Sequence, residues 1–197
     1  MSRGEKALPA SQQIRRVTFL AMFVAVIAVC AQVTIPMPSG VSFTLQTFAV
    51  ALCGYLLGVK YATAALFVYL LLGAAGAPVF SAFQGGFHVL VGKTGGYLWG
   101  FFPMAALCGL ARSGKGRVLP YLWGLPGLMI CHLCGTLQNM FLAGGGFWAL
   151  LMVYSVPYLL KDVLGLVAAA LLAHRLRPVL EKYLVLSPVR TQRKMTR

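Results

Sequence analysis

Acidic residues are almost missing from this sequence. Its 197 residues hold only Glu5, Asp162 and Glu181, against 17 lysines and arginines. Acid–base or metal-assisted catalysis usually needs convergent carboxylates or histidines, and so few carboxylates argue against an intramembrane enzyme. Charge of either sign is scarce: 10% of residues are charged, 59% are hydrophobic and the mean hydropathy is +0.82. A soluble domain of this size does not carry that composition. No hydrophilic stretch is long enough for a nucleotide-binding domain, so chemical energy must come from a partner or a gradient. The cysteines, Cys30, Cys53, Cys108, Cys131 and Cys134, are odd in number and sit in apolar runs. They exclude a complete disulfide framework and read as small buried hydrophobes.

What is present is apolar sequence in lengths that suit a bilayer. A helical span takes about 20 residues, which leaves room for six. The expected fold is an all-α integral membrane protein, a six-transmembrane-helix bundle with a Gly-rich extracellular loop between helices three and four. Its expected divisions are a basic N-terminal tail (1–16), a membrane domain (17–173) and a basic C-terminal tail (174–197). A net charge of +14 would suggest nucleic acid in a soluble protein, but topology explains it better. All but two of the basic residues fall in four places: Arg3, Lys6, Arg15 and Arg16; Lys60; Arg112, Lys115 and Arg117; and the C-terminal tail from Arg175. Six spans put all four on one side, as the positive-inside rule requires, with both termini cytoplasmic and nucleic acid excluded as a partner. The N-terminus shows no cleavable-signal pattern, because the apolar run after Arg16 is too long.

The first span is expected over Val17–Ile35, with Ala21, Ala25 and Ala28 forming a small-residue stripe. Such a stripe serves internal packing or docking of a separate membrane subunit. An uncharged outer loop, Ile35 to Phe48, leads Thr44, Gln46 and Thr47 into the second span, where a helix cap and a ligand contact are both open. After Leu72, the Gly-rich and aromatic segment Gly73 to His88 cannot lie in lipid as irregular backbone; it must be buried in protein or line a cavity. Gly92-Lys93-Thr94 is not a phosphate loop: the required glycine five positions earlier is Phe87. What remains there is a glycine ladder, Gly92, Gly96 and Gly100, that permits close approach of a helix or a ligand. Cys131-His132-Leu133-Cys134 puts two thiols on one face of the fifth span, which is expected from about Leu119 to Leu142; buried thiols are favoured over a metal or redox site. The sixth span is expected to reach about Ala173 and to be interrupted at Pro157.

Asp162 is the only aspartate, set inside the apolar run that follows Pro157. A charge at membrane depth costs about 2.5–3.5 kcal/mol on insertion scales, so it asks for a function.

Taken together, Ile35-Pro36-Met37-Pro38 leading into Thr44-Leu45-Gln46-Thr47-Phe48, the run Gly73 to Phe80, Gly85-Gly86 with Gly92 to Phe101, and Pro157 followed by Asp162 resemble the BioY family, the biotin-binding S-components of energy-coupling-factor (ECF) transporters. The resemblance covers about residues 17–173. It implies a six-helix bundle in the bacterial inner membrane that binds biotin from outside and needs no cofactor. It also implies three partners, a transmembrane coupling subunit and two cytosolic ABC-type ATPases, with Ala21 and Ala25 as the docking face for the first. The ligand-binding residues it implies are Asp162, Lys161, Gln46, Phe83, Gly86, Thr94, Gly96 and Tyr97, with the loop over 73–95 closing on the ligand. An S-component for another vitamin is the alternative. Two positions depart from the family pattern: Lys93 stands where proline is usual, and Gly165 where many members carry lysine. Lys161 is not a simple replacement, since residues one apart on a helix point about 100° apart. It either reaches the ligand from another direction or snorkels to the surface.

Overall fold

The computed structural model describes residues 10–111 and 119–184, with backbone alone at 11–12, 119–120 and 181–184. Helix α1 (Ala10–Gln32) leads into a two-stranded antiparallel hairpin, β1 (Thr34–Ile35) and β2 (Phe43–Thr44). Then come α2 (Gln46–Leu57), α3 (Val59–Ala74), a 3-10 turn at Ser81–Phe83, the short α4 (Phe87–Val91) and α5 (Gly95–Leu110). A second 3-10 turn (Leu119–Trp123) feeds α6 (Gly124–Ala143), followed by α7 (Phe147–Tyr154) and α8 (Val156–Leu184).

Three segments among the described residues are long and apolar enough to cross a membrane: Gln13–Gln32, Tyr121–Ala143 and Val156–Leu180. The other apolar helices are shorter, with 12 residues in α2 and 16 in each of α3 and α5. At 1.5 Å per residue, α2 rises only about 18 Å of a roughly 30 Å hydrocarbon core. Among the described residues, then, three of the six apolar helices reach the spanning length of about 20 residues and three fall short of it. Gly58, at φ +77°, turns the chain between α2 and α3 with no intervening loop, a conformation only glycine adopts without strain.

The bundle has two distinct ends. At one, Arg16 Nη1 donates to Tyr61 Oη at 2.6 Å and Arg177 Nη1 to the Ala111 carbonyl at 3.4 Å, while Gly109 abuts Val59. Arg16 of α1, Lys60 at the start of α3 and Arg177 near the end of α8 thus gather where α2 and α5 finish. At the other end α2, α3 and α5 stop short, and the hairpin and the 75–94 connection fill the space. Gln32, closing α1, clamps that connection: its Nε2 donates to the Phe80 carbonyl at 3.1 Å and its Oε1 accepts the Phe83 amide at 2.9 Å. Within the connection Phe80, Ser81, Val89 and Leu90 are buried, while Ala75, Gly76, Pro78, Ala82, Phe83, Gln84, Phe87 and His88 are exposed, so protein encloses only part of this irregular backbone.

Between the ends lies a core of Ile27, Tyr55, Leu56, Leu66, Tyr69, Phe80, Met104 and Leu128, each almost fully buried. The outward faces carry Phe67, Phe141, Trp148, Leu160 and Leu171, all highly exposed, as the lipid-facing side of a membrane bundle would be. The sequence expected α1 to begin at Val17 and the sixth span to end near Ala173. In fact α1 starts at Ala10, and α8 runs to Leu184. The break in the last span falls at Ser155 rather than Pro157. Pro157 sits in the first turn of α8, where its missing N–H has no intrahelical partner to lose.

Candidate ligand-binding site

Where the short helices stop, a mainly apolar cavity opens. Its walls come from the hairpin (Val41, Ser42, Thr44), the first turn of α2 (Gln46, Thr47), the connection (Phe80, Ser81, Val89), α5 with its leading residue (Thr94, Tyr97, Leu98, Phe101), α6 (Leu128, Cys131, His132) and α8 (Tyr158, Lys161, Asp162).

Asp162 sits on the inward face of α8 and is 5% exposed. Its Oδ2 lies 3.2 Å from His132 Nε2, and its Oδ1 lies 2.5 Å from Lys161 Nζ. The lysine contact is an ion pair without hydrogen-bond alignment, so Oδ1 has no hydrogen-bond partner within the protein; nor has His132 Nδ1. A buried polar atom left unmatched costs about 1–3 kcal/mol. Oδ1 is matched in charge by Lys161, so the open polar capacity here is its remaining lone pair on α8 and His132 Nδ1 on α6, both facing the same cavity.

Of the two alternatives for Lys161, the side chain follows the first: it turns inward to the cavity and does not snorkel to the surface. The 100° divergence holds for the Cα–Cβ bonds, but a four-carbon side chain reaches past it. The Lys161 ammonium folds back onto the carboxylate, donates to the Thr44 carbonyl at 2.7 Å, and lies 4.8 Å from the Phe43 ring centroid. Its positive charge balances Asp162 inside the protein, which makes the pair tolerable at this depth.

Gln46 lines the cavity with its amide already engaged. Nε2 donates to Tyr69 Oη at 2.7 Å, and Tyr69 donates in turn to the Val79 carbonyl at 3.0 Å. Tyr97 donates to the Tyr154 carbonyl and stands edge-on to the His132 ring. Thr94 immediately precedes α5 at the cavity wall, with no side-chain capping bond to the helix. Of the expected site residues, Asp162, Lys161, Gln46, Thr94 and Tyr97 therefore converge on one cavity.

The other three do not line it. Phe83 projects outward, 71% exposed, and only its backbone amide is engaged, by Gln32. Gly86, at φ +102°, starts α4 and donates to the Gly73 carbonyl at 2.7 Å. Gly96 is buried in the α5–α6 seam, where a Cβ would meet the Cys134 carbonyl and Gly135 Cα. Gly100 is likewise pressed against Cys131, whereas Gly92 ends α4, so two of the three ladder glycines serve helix packing. Ala21 and Ala25 are exposed on α1, whose buried face is instead Phe23, Val24 and Ile27.

Sequence reasoning missed His132, which it treated as a neighbour of two thiols. Cys131 and Cys134 are both free thiols. The available signal was elimination: a histidine at membrane depth seeks a carboxylate, and the chain has only one there.

The cavity roof is latched by Tyr158. Its hydroxyl donates to the Val41 carbonyl at 2.6 Å and lies 2.7 Å from Ser39 Oγ. Tyr158→Phe removes both contacts but keeps the ring against Phe43. The expected result is faster deuterium uptake across 36–44 in hydrogen-exchange mass spectrometry, with the melting temperature shifted by only a few degrees, as for loss of about 1 kcal/mol.

Comparison with known proteins gives this geometry a context. The BioY family model matches residues 4–182. A biotin transporter BioY from Thermotoga maritima is 42% identical over 165 residues, covering 83% of this chain and 96% of that protein. A probable biotin transporter BioY from Pyrococcus horikoshii is 37% identical, with 83% and 96% covered. BioY2 of Lactococcus lactis is 32% identical, with 80% and 91% covered. In three dimensions, the crystal structure of an S-component for biotin from an ECF-type ABC transporter superposes with a TM-score of 0.80 over 87% of this chain and 95% of that one, at 23% identity. The fold is shared at an identity where sequence alone would say little. With the family model matched from one basic tail to the other and a relative above 40% identity, this chain belongs to the BioY family.

Proposed function

We propose that this chain is the biotin-binding and uptake subunit, or S-component, of an ECF-type vitamin transporter. The observation that carries the reading is Asp162, a buried carboxylate on the wall of a mainly apolar cavity, whose Oδ1 is ion-paired with Lys161 and keeps a lone pair for a ligand donor. Biotin offers ureido N–H donors on an apolar bicycle. A ureido N–H donated to Oδ1 is a charge-assisted bond worth about 1.5–3 kcal/mol. Lys161 and His132 hold the carboxylate in place, and Phe80, Leu98, Phe101 and Leu128 are the surfaces against which an apolar ring system packs.

The cavity has a volume of about 50 Å³, whereas sites enclosing a drug-sized molecule run to about 300 Å³ or more. Binding therefore requires a wall to move. The hairpin and the 75–94 connection, made of short elements pinned by Tyr158 and Gln32, form that wall. In this reading they close over the loaded ligand.

In the same proposal α1, α2, α3, α5, α6 and α8 are the six helices of the membrane domain (17–173), in the bacterial inner membrane. Their basic end and both tails (1–16 and 174–197) face the cytoplasm, and the Gly-rich segment between α3 and α5 faces outward. The gathering of Arg16, Lys60 and Arg177 at one end favours this orientation. A transmembrane coupling subunit meets the exposed Ala21 and Ala25, and two cytosolic ABC-type ATPases supply the energy. The chain is a transport protein rather than an enzyme, with no cofactor in its own site.

Titration calorimetry on the purified protein with biotin, thiamine and riboflavin tests the reading. Saturable binding of biotin alone is expected. Preference for either other vitamin, or no binding of any, would overturn it.

A further inference from the structure

Charge topology leaves two cations unexplained. The described lysines and arginines of α1, α3 and the end of α8 lie at the basic end of the bundle, but Lys93 and Lys161 lie at the cavity end. Lys161 is balanced by Asp162. Lys93 is exposed, and no carboxylate among the described residues forms an ion pair with it.

Its placement is fixed on both sides. The Lys93 carbonyl accepts Asn139 Nδ2 at 2.8 Å, and the neighbouring Gly92 carbonyl accepts Gln138 Nε2 at 2.6 Å, so two amides of α6 hold the backbone. The next residue, Thr94, lines the cavity. The side chain then extends to the hairpin turn. Its Cδ and Nζ come within 3.3 and 3.4 Å of where a Cβ on Gly40 would sit, and Gly40 immediately precedes Val41 and Ser42 of the cavity roof. Lys93 thus crosses from wall to roof at the rim, its ammonium outside the apolar interior.

Resting on the proposed function, we infer that Lys93 is the residue that selects an anionic tail on the ligand. With a ureido group against Asp162, the carboxylate at the far end of the biotin side chain is left toward the rim. A rim cation attracts it during encounter and pairs with it in a solvated setting. Such a charge acts mainly on the association rate and its salt dependence, and an exposed pair is worth at most about fivefold in affinity.

The experiment is stopped-flow binding of biotin and of the neutral-tailed biotinamide to wild type, Lys93→Met and Lys93→Arg, at low and high salt. Wild type is expected to associate with biotin about fivefold faster than with the amide at low salt, an advantage that shrinks as salt rises. Lys93→Met should lose the advantage by slowing biotin alone, and Lys93→Arg should keep it. Equal slowing of both ligands by Lys93→Met would make Lys93 a structural prop, and no change would remove it from recognition; either overturns the inference while the biotin assignment stands. Wild type that binds neither ligand fails the functional reading, and this inference with it.

Discussion

Replacing Asp162 by asparagine is expected to weaken biotin binding by ten- to a hundredfold, the equivalent of losing one charge-assisted hydrogen bond of about 1.5–3 kcal/mol. Asparagine keeps the shape of the side chain and removes its charge. The same change strands the Lys161 ammonium, whose side chain is 16% exposed and which lies 2.5 Å from Asp162 Oδ1. Removing one partner of a buried pair costs about 3–5 kcal/mol, so Asp162→Asn should melt lower as well. The two effects separate in a double variant. Lys161→Met with Asp162→Asn takes away both charges, and a neutral pair of similar volume is often no less stable than the ion pair it replaces. The double variant should therefore recover much of the lost stability and none of the lost binding. Calorimetry gives the affinity and a thermal melt gives the stability. Wild-type affinity in Asp162→Asn would remove Asp162 from the site.

That carboxylate was legible in the sequence because its cost is: one aspartate inside an apolar run demands a reason. Its partners were less so. The histidine is far away in sequence, and only α6 packing against the rest of the bundle brings Nε2 to 3.2 Å. The lysine was expected at the ligand but its direction was left open, because helical geometry fixes where a side chain starts, not where a long one ends. The membrane character of the chain followed from composition, but the helix lengths did not. Apolar run length records where lipid or protein surrounds a residue. It does not record that Gly58 reverses the chain at φ +77°, or that Thr34 and Ile35 leave α1 to pair with Phe43 and Thr44. Those departures make the cavity, since full-length α2, α3 and α5 would fill it. Phe83 and Gly86 were expected at the ligand on the strength of the loop they occupy. The loop does reach the cavity, through Phe80, Ser81 and Val89 instead.

Gly96 offers a sharp test of that same distinction between touching a ligand and holding the walls apart. It lies in the α5–α6 seam, and a Cβ there would run into the Cys134 carbonyl, Gly135 Cα and Gln138 Cβ. Backbone cannot swing aside as a flexible side chain can, so Gly96→Val forces the two helices apart. Overpacking of this kind costs about 1–3 kcal/mol, sometimes more, and a β-branched residue adds a small helix penalty. The seam carries Thr94, Tyr97 and Leu98 on one side and Leu128, Cys131 and His132 on the other. Separating it therefore displaces His132 from Asp162 as well. Gly96→Val is expected to lower the melting temperature by several degrees, with biotin affinity falling in step. Gly146→Ala, at a position with nothing within 4 Å of a Cβ, should change neither. A Gly96→Val protein that melts like wild type yet binds biotin poorly would return Gly96 to the ligand and sink the packing account; one that loses stability first, and binding through it, fixes Gly96 as a residue that sets the distance between the α5 and α6 walls of the cavity.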